Sequence, residues 1–168
     1  MKGLLKILLA VGLGFMSNAV FAQDPTDSLP SDPALTIYTV QHMSFGAFSI
    51  GNSGGTVVIA NNGTRTVTGD VLALNLGTSY FQAIFDVEAP IGAIVSILNG
   101  ADATLTGSNG GSMLMRIGNS DPTSPFIITV AQPARTPVKI GGTLTVGNSA
   151  ANPPGNYSGT FYITFNLE

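Results

Sequence analysis

Residues 159–168 read GTFYITFNLE, and large apolar side chains recur in this segment at every second position. Phe161, Ile163, Phe165 and Leu167 would all point to one side of an extended strand, while the residues between them are mostly polar. Successive side chains of a β-strand point to opposite faces of the sheet. The alternation therefore predicts a strand with one face on a core and the other in solvent.

The same period of two continues through the rest of the chain from Leu35 onward. Short alternating segments are separated by Gly, Asn, Ser and Pro clusters, which favour turns, and no sustained helical stripe interrupts them. The residues predicted to face the core here are Val57, Ile59, Leu72, Leu74, Leu76, Phe81, Ala83, Phe85, Val87, Met113, Met115, Ile117, Phe126, Ile128, Val130, Leu144 and Val146. The sequence thus predicts an all-β fold, an immunoglobulin-like antiparallel β-sandwich.

The first 22 residues have the layout of a bacterial signal peptide. Lys2 and Lys6 supply positive charge, and residues 4–15 form an apolar run that is too short for a spanning helix. Small or neutral residues lead up to Ala22. We therefore predict cleavage after Ala22 and export to the periplasm, the cell surface or the medium.

Two further regions follow the predicted signal peptide. Residues 23–34 contain three prolines and three aspartates with almost no apolar side chain, a composition typical of a disordered or linker leader. Residues 35–168 are long enough to bury a core of their own, so we expect them to form a single β-sandwich domain.

Composition excludes several classes of function. Residues 23–168 carry four basic and nine acidic side chains, a net charge of −5, which leaves no basic patch for nucleic acid. No second apolar segment is long enough to cross a membrane. The chain has no cysteine and one histidine, which excludes thiol catalysis and metal sites built from cysteines or several histidines.

Candidate catalytic residues are few. His42 could act as the base of a serine triad, but no serine lies in a G-x-S-x-G elbow. Asp86 and Glu88 would share one side of a strand, as the carboxylate pair of a glycosidase can. Because Phe85 and Val87 between and beside them are predicted to face the core, the two acids would lie in solvent. We expect a non-catalytic protein with no cofactor and no metal.

Two tyrosines suggest a second class of function. Tyr80 and Tyr162 are predicted to face outward, where an aromatic ring can stack on a sugar. The chain has no tryptophan to strengthen such a platform. The alternative function is therefore a carbohydrate- or protein-binding sandwich module, with Tyr80 and Tyr162 as the weakly indicated ligand-stacking residues.

Two long segments resemble a known family. Residues 43–74 read MSFGAFSIGNSGGTVVIANNGTRTVTGDVLAL, and residues 139–168 read KIGGTLTVGNSAANPPGNYSGTFYITFNLE. Their Ser-Phe-Gly, Gly-Gly-Thr and Gly-Thr-Arg elements, with the terminal Pro-Gly-x-Tyr-x-Gly-x-Phe strand, resemble a family of secreted bacterial domains catalogued as domain of unknown function 4402. The resemblance covers about residues 36–168, nearly all of the predicted mature chain.

That family is similar in layout to spore-coat-U-like and archaic chaperone–usher pilin domains. The resemblance implies an exported structural or adhesive surface protein, with a pilin-like fibre subunit as its specific form. Such subunits assemble by β-strand donation, here with residues 34–40 of one copy beside the terminal strand, residues 157–167, of the next. The implied partners are further copies of the chain or other surface subunits. Pilins of this relation commonly contain a disulfide, which this chain lacks.

The signal-peptide interpretation has a direct test. Mass spectrometry of the exported protein should find Gln23 at its N-terminus, because the apolar run and the small residues before Ala22 present one cleavage site. Exported protein that retains Met1 would contradict this prediction.

Overall fold

The computed structural model describes residues 34–168, which form eleven strands and no helix. The strands are β1 (Thr36–Gln41), β2 (Phe48–Ile59), β3 (Arg65–Ala73), β4 (Ala83–Glu88), β5 (Ile94–Asn99), β6 (Ala103–Gly107), β7 (Ser112–Asp121), β8 (Phe126–Ile127), β9 (Thr136–Val146), β10 (Tyr157–Ser158) and β11 (Ile163–Leu167). Every pair of neighbouring strands is antiparallel. The predicted all-β, antiparallel class is confirmed.

The strands are arranged in two sheets that share one core. The larger sheet follows the path β1-β4-β9-β7-β6-β10, with β2 paired to β9 and β3 paired to β2. The smaller sheet has the order β11-β5-β8. Val57, Val87 and Val138 of the larger sheet and Val95 of the smaller one are fully buried in the same cluster. Two sheets around a shared core make a sandwich-like arrangement. The immunoglobulin-like connectivity stays a prediction.

Strand β9 is the centre of the larger sheet. It pairs with β4 through residues 136–140 and with β2 through residues 142–146, while β7 runs along its other edge. The change of partner occurs at Gly141, where an added β carbon would overlap the carbonyl oxygen of Ile59. A residue without a side chain is therefore required where β2 approaches β9.

Most of the predicted core-facing residues are buried. This group consists of Val57, Ile59, Ala83, Val87, Met113, Met115, Ile117, Phe126, Ile128, Leu144 and Val146. Phe85, Val130 and the four apolar residues of the terminal strand are only half-buried. Alternation in the sequence thus identified the inward face of most strands.

The predicted inward face of β3 and the residues after it is wrong. Leu72 and Leu76 are 65% and 71% exposed, whereas Val71 is buried. The inward face of β3 is set by its partner strand, because Val67 lies opposite the fully buried Val57 and Val71 follows on the same face. Leu72 in β3 and Leu76 after it therefore point away from the core, and Leu74 between them is half-buried.

The predicted position of Phe81 is also wrong. Its side chain is 41% exposed, and its backbone forms an isolated bridge to Ser44 ahead of β4, which begins only at Ala83. The predicted strand that contained Phe81 is thus shorter at its start than the sequence pattern indicated.

Two of the predicted regions lie almost entirely before Ala34. The signal peptide and all of the leader except Ala34 lie outside the described residues and stay predictions. Between residues 34 and 168, the structure has no helix with the length and hydropathy needed to span a bilayer.

Two leucines provide a matched test of the core. Leu144 is 1% exposed and Leu72 is 65% exposed. Replacing Leu144 with Ala should lower the free energy of unfolding by about 2–5 kcal/mol, through lost burial and the cavity left behind. Replacing Leu72 with Ala should change it by less than about 0.5 kcal/mol. Equal effects in urea denaturation would contradict this assignment of the two faces.

Candidate functional site

The terminal strand has a free edge. Within the described residues, β10 pairs only with β6 in the larger sheet and β11 pairs only with β5 in the smaller one, so the opposite edge of each of these two strands has no strand partner. The carbonyl of Tyr162 accepts a hydrogen bond from the Gly100 amide at 2.9 Å, and the Glu168 amide donates to the Ile94 carbonyl at 3.0 Å. Because these groups alternate along an antiparallel strand, the amides and carbonyls of the odd-numbered residues point to the free edge.

The inward side chains of the terminal strand are incompletely covered. Phe161, Ile163, Phe165 and Leu167 pack against the core, yet each is only half-buried. Phe165 meets Phe85 edge-on, with ring centroids 5.7 Å apart and planes at 62°. Apolar side chains are therefore partly exposed along the same strand whose backbone is unpaired.

An apolar cleft of about 570 Å³ opens beside the first part of this strand. One wall consists of residues 43–48 and 50 and the other of residues 153–159 and 161, and the cleft is completed by Leu74, Leu76, Thr78, Leu105, Met113, Met115 and Leu144. Four of the lining residues, Phe45, Met113, Met115 and Leu144, belong to the buried core. None of the lining side chains, all within the described part of the chain, is charged. The cleft thus leads from solvent to the core without a charged group.

Arg65 holds the first wall in place. Its guanidinium donates hydrogen bonds to the carbonyls of Phe45 at 3.2 Å, Ala47 at 3.1 Å and Leu74 at 3.3 Å. The Leu74 amide in turn donates to the Ala47 carbonyl at 3.0 Å. A planar group with several donors suits this role, because it can bind carbonyls of two separate segments at once.

The second wall is held by a tyrosine and two asparagines. The Tyr157 hydroxyl donates to the Pro153 carbonyl at 2.8 Å, and the Asn109 side-chain amide donates to the Pro154 carbonyl at 2.7 Å. Asn152 is 2% exposed; it accepts from the Gly147 amide at 2.6 Å and donates to the Ser112 carbonyl at 2.7 Å. Side-chain bonds to backbone therefore fix both sides of the cleft.

The two tyrosines predicted as ligand-stacking residues have different surroundings. The guanidinium of Arg65 lies 4.3 Å from the ring centroid of Tyr80, so one face of that ring is already stacked within the chain. Tyr162 is 74% exposed and lines neither the apolar cleft nor the neighbouring cavity that Arg65 and Tyr80 line. The two rings do not line a common cavity.

The residues weighed for catalysis are not gathered in a site. His42 is exposed after the end of β1. The Glu88 carboxylate forms an ion pair with Arg135 at 3.2 Å, and Asp86 lies between Tyr38 of β1 and Pro137 of β9. Across residues 34–168, no three acidic or histidine side chains come close enough together to hold a metal ion.

Sequence comparison identifies the family to which this domain belongs. Residues 35–166 match the model of the family described as Domain of unknown function (DUF4402). The chain belongs to the DUF4402 family. No curated protein and no solved structure gives a significant match. The matched DUF4402 region contains both walls of the cleft and nearly all of the terminal strand, so the cleft is a feature of the family domain in this chain.

Arg65 can be tested against a matched arginine. In the Arg65→Lys variant a single ammonium replaces the guanidinium that donates to three carbonyls. The free energy of unfolding should therefore fall by about 1–3 kcal/mol. Hydrogen exchange at the Leu74 amide should also accelerate. Arg116 is the control, because its side chain is 78% exposed and its ion pair with Asp102 is 3.6 Å long. Arg116→Lys should change stability by less than about 0.5 kcal/mol. Equal losses in the two variants would contradict the role given to Arg65.

Proposed function

We propose that this DUF4402 protein is an exported, non-catalytic surface protein with a structural or adhesive role, and that it joins its partner by accepting a β-strand. The observation that supports this most directly is the terminal strand, residues 157–167. β10 and β11 are each unpaired on one edge, the inward apolar side chains are half-buried, and Phe161 lines the apolar cleft. A pilin-like fibre subunit is the specific form of this proposal.

The energetics favour a strand as the occupant of the cleft. An added strand would form main-chain hydrogen bonds with the free edge, each contributing about 1 kcal/mol. Its apolar side chains would cover Phe161, Ile163 and Phe165, at about 25 cal/mol for each Å² removed from water. An uncovered edge of this kind otherwise pairs with any available strand, which makes it an aggregation hazard for a chain without a partner.

Glycan binding has weaker support. One face of Tyr80 is stacked against Arg65, and Tyr162 stands alone at the surface. Recognition of a sugar normally combines a stacking ring with polar groups that converge in a concave site. The apolar cleft has no charged side chain, and neither Tyr80 nor Tyr162 lines it. Its shape and chemistry suit a peptide strand better than a sugar.

A variant whose own C-terminal extension can occupy the cleft tests the proposal. In this variant a flexible linker and a strand of alternating Val and Thr follow Glu168, and a control variant carries a Gly/Ser tail of equal length. The tethered strand is present at millimolar effective concentration and should occupy the cleft. In the natural host, the wild-type and Gly/Ser-tailed chains should run in unheated detergent gels as complexes larger than the monomer, which boiling dissociates. The strand-tailed chain should run as a monomer.

Either of two results would overturn the proposal. Wild-type chain that is always monomeric in the cell envelope would show that no strand is accepted there. Strand-tailed chain that forms the same complexes as the wild type would show that they form elsewhere on the surface.

Antibody labelling of intact cells, done in parallel, should detect the chain outside the outer membrane.

A further inference from the structure

We infer that the strand taken by the apolar cleft comes from a different protein and carries apolar side chains at alternate positions, rather than coming from the N-terminal region of a second copy. This inference rests on the proposed strand acceptance and names the partner's chemistry. It replaces the homopolymer that the sequence suggested, in which residues 34–40 of one copy pair with the terminal strand of the next.

Residues 36–41 are already used within their own chain. They form β1, which pairs with β4 from Thr36 opposite Glu88 to Gln41 opposite Ile84. A side-chain clamp adds to this ladder: the Arg135 guanidinium lies 3.5 Å from the ring centroid of Tyr38 and 3.2 Å from the Glu88 carboxylate. Donation of β1 to a second copy would break these contacts and expose Ile37, which packs against the core.

The residues before β1 have the wrong composition for this cleft. Residues 23–33 contain three prolines, three aspartates and a single leucine. A proline has no amide hydrogen to donate to the free edge, so it interrupts a strand ladder. An aspartate would lose its hydration in a cleft whose lining has no charged side chain, and no cation there would compensate.

The cleft itself indicates what the partner strand contains. β10 and β11 each have one unpaired edge, and residues 159–161 join them along the side of the cleft. A strand lying in the cleft would place every second side chain toward core residues such as Met113, Met115 and Leu144, and the others toward solvent. Methionine adapts to side chains of several shapes, so Val, Ile or Leu would fit at the inward positions.

Peptide binding to the purified full-length chain tests the inference. The first probe is a peptide as long as residues 157–167, in which Val alternates with Thr between terminal lysines. The second probe is a peptide of residues 23–33, which has the same length. A third peptide has the composition of the first, with its Val residues in one block and its Thr residues in another. Hydrogen exchange at the amides of Phe161, Ile163, Phe165 and Leu167 is the readout.

The alternating peptide should slow exchange at these four amides roughly tenfold when its concentration is about ten times its Kd. The other two peptides should leave exchange unchanged at the same concentration. Equal protection by the peptide of residues 23–33 would overturn the inference and leave strand acceptance intact. Equal protection by the blocked peptide would also overturn it, because the occupant would then need no alternation. Protection by none of the three would overturn the inference and the proposed function together.

Substitutions at two neighbouring residues test whether the peptide binds on the cleft side of the terminal segment. Phe161 lines the cleft, whereas Tyr162 is 74% exposed and points away from it. Phe161→Asp should abolish the protection at residues 163, 165 and 167, and Tyr162→Asp should preserve it. Circular dichroism of both variants shows whether they are folded. Loss of protection in folded Tyr162→Asp, with protection retained in folded Phe161→Asp, would contradict the inferred binding face.

Discussion

The close approach of β2 to β9 at Gly141 is the constraint on which the rest of the sandwich depends. Because residue 141 has no side chain, β9 can leave β4 and pair with β2, while its ladder to β7 continues on both sides of an irregularity between Ile117 and Ser120. Leu144, three residues later, then lies in the core between β2 and β7. The same arrangement brings residues 43–50, which lead into β2, to the side of the cleft opposite the terminal strand. One position without a β carbon thus allows both the core and the cleft.

The terminal segment packs against the core on one side and has unpaired backbone on one edge. Its inner side packs on residues such as Phe85, while its outer edge has no neighbouring strand within the described residues. Hydrogen bonds from Arg65 and Tyr157 to backbone carbonyls fix each wall of the cleft in place. Since polar contacts with fixed geometry hold these walls, the cleft does not require a ligand to give it shape. It is a pre-organised surface, which lowers the entropy cost of binding.

Local alternation predicted the parts of the fold that local chemistry decides. It identified the inward face at the end of β9, where Leu144 and Val146 alternate with threonines, and the inward positions of β7, where Met113 and Met115 are buried. It failed at Val71 and Leu72, where two successive residues of β3 are apolar and the pairing of Val67 with Val57 decides which of them faces inward. The cleft was beyond such reasoning, since a free edge depends on which distant strands pair. The stacking of Tyr80 on Arg65 is likewise a long-range contact that no motif indicates.

A free edge beside an apolar cleft also couples assembly to stability. The chain has no disulfide to stabilise it, and partly exposed residues such as Phe161 contribute less to the core than they would if covered. A strand that binds only the folded chain raises the free energy of unfolding, by about 4 kcal/mol at a thousand times its Kd. This increase is a large fraction of the stability of an ordinary domain. An occupied chain would therefore resist unfolding and edge-to-edge aggregation better than an empty one, because the same strand supplies binding free energy and covers the free edge.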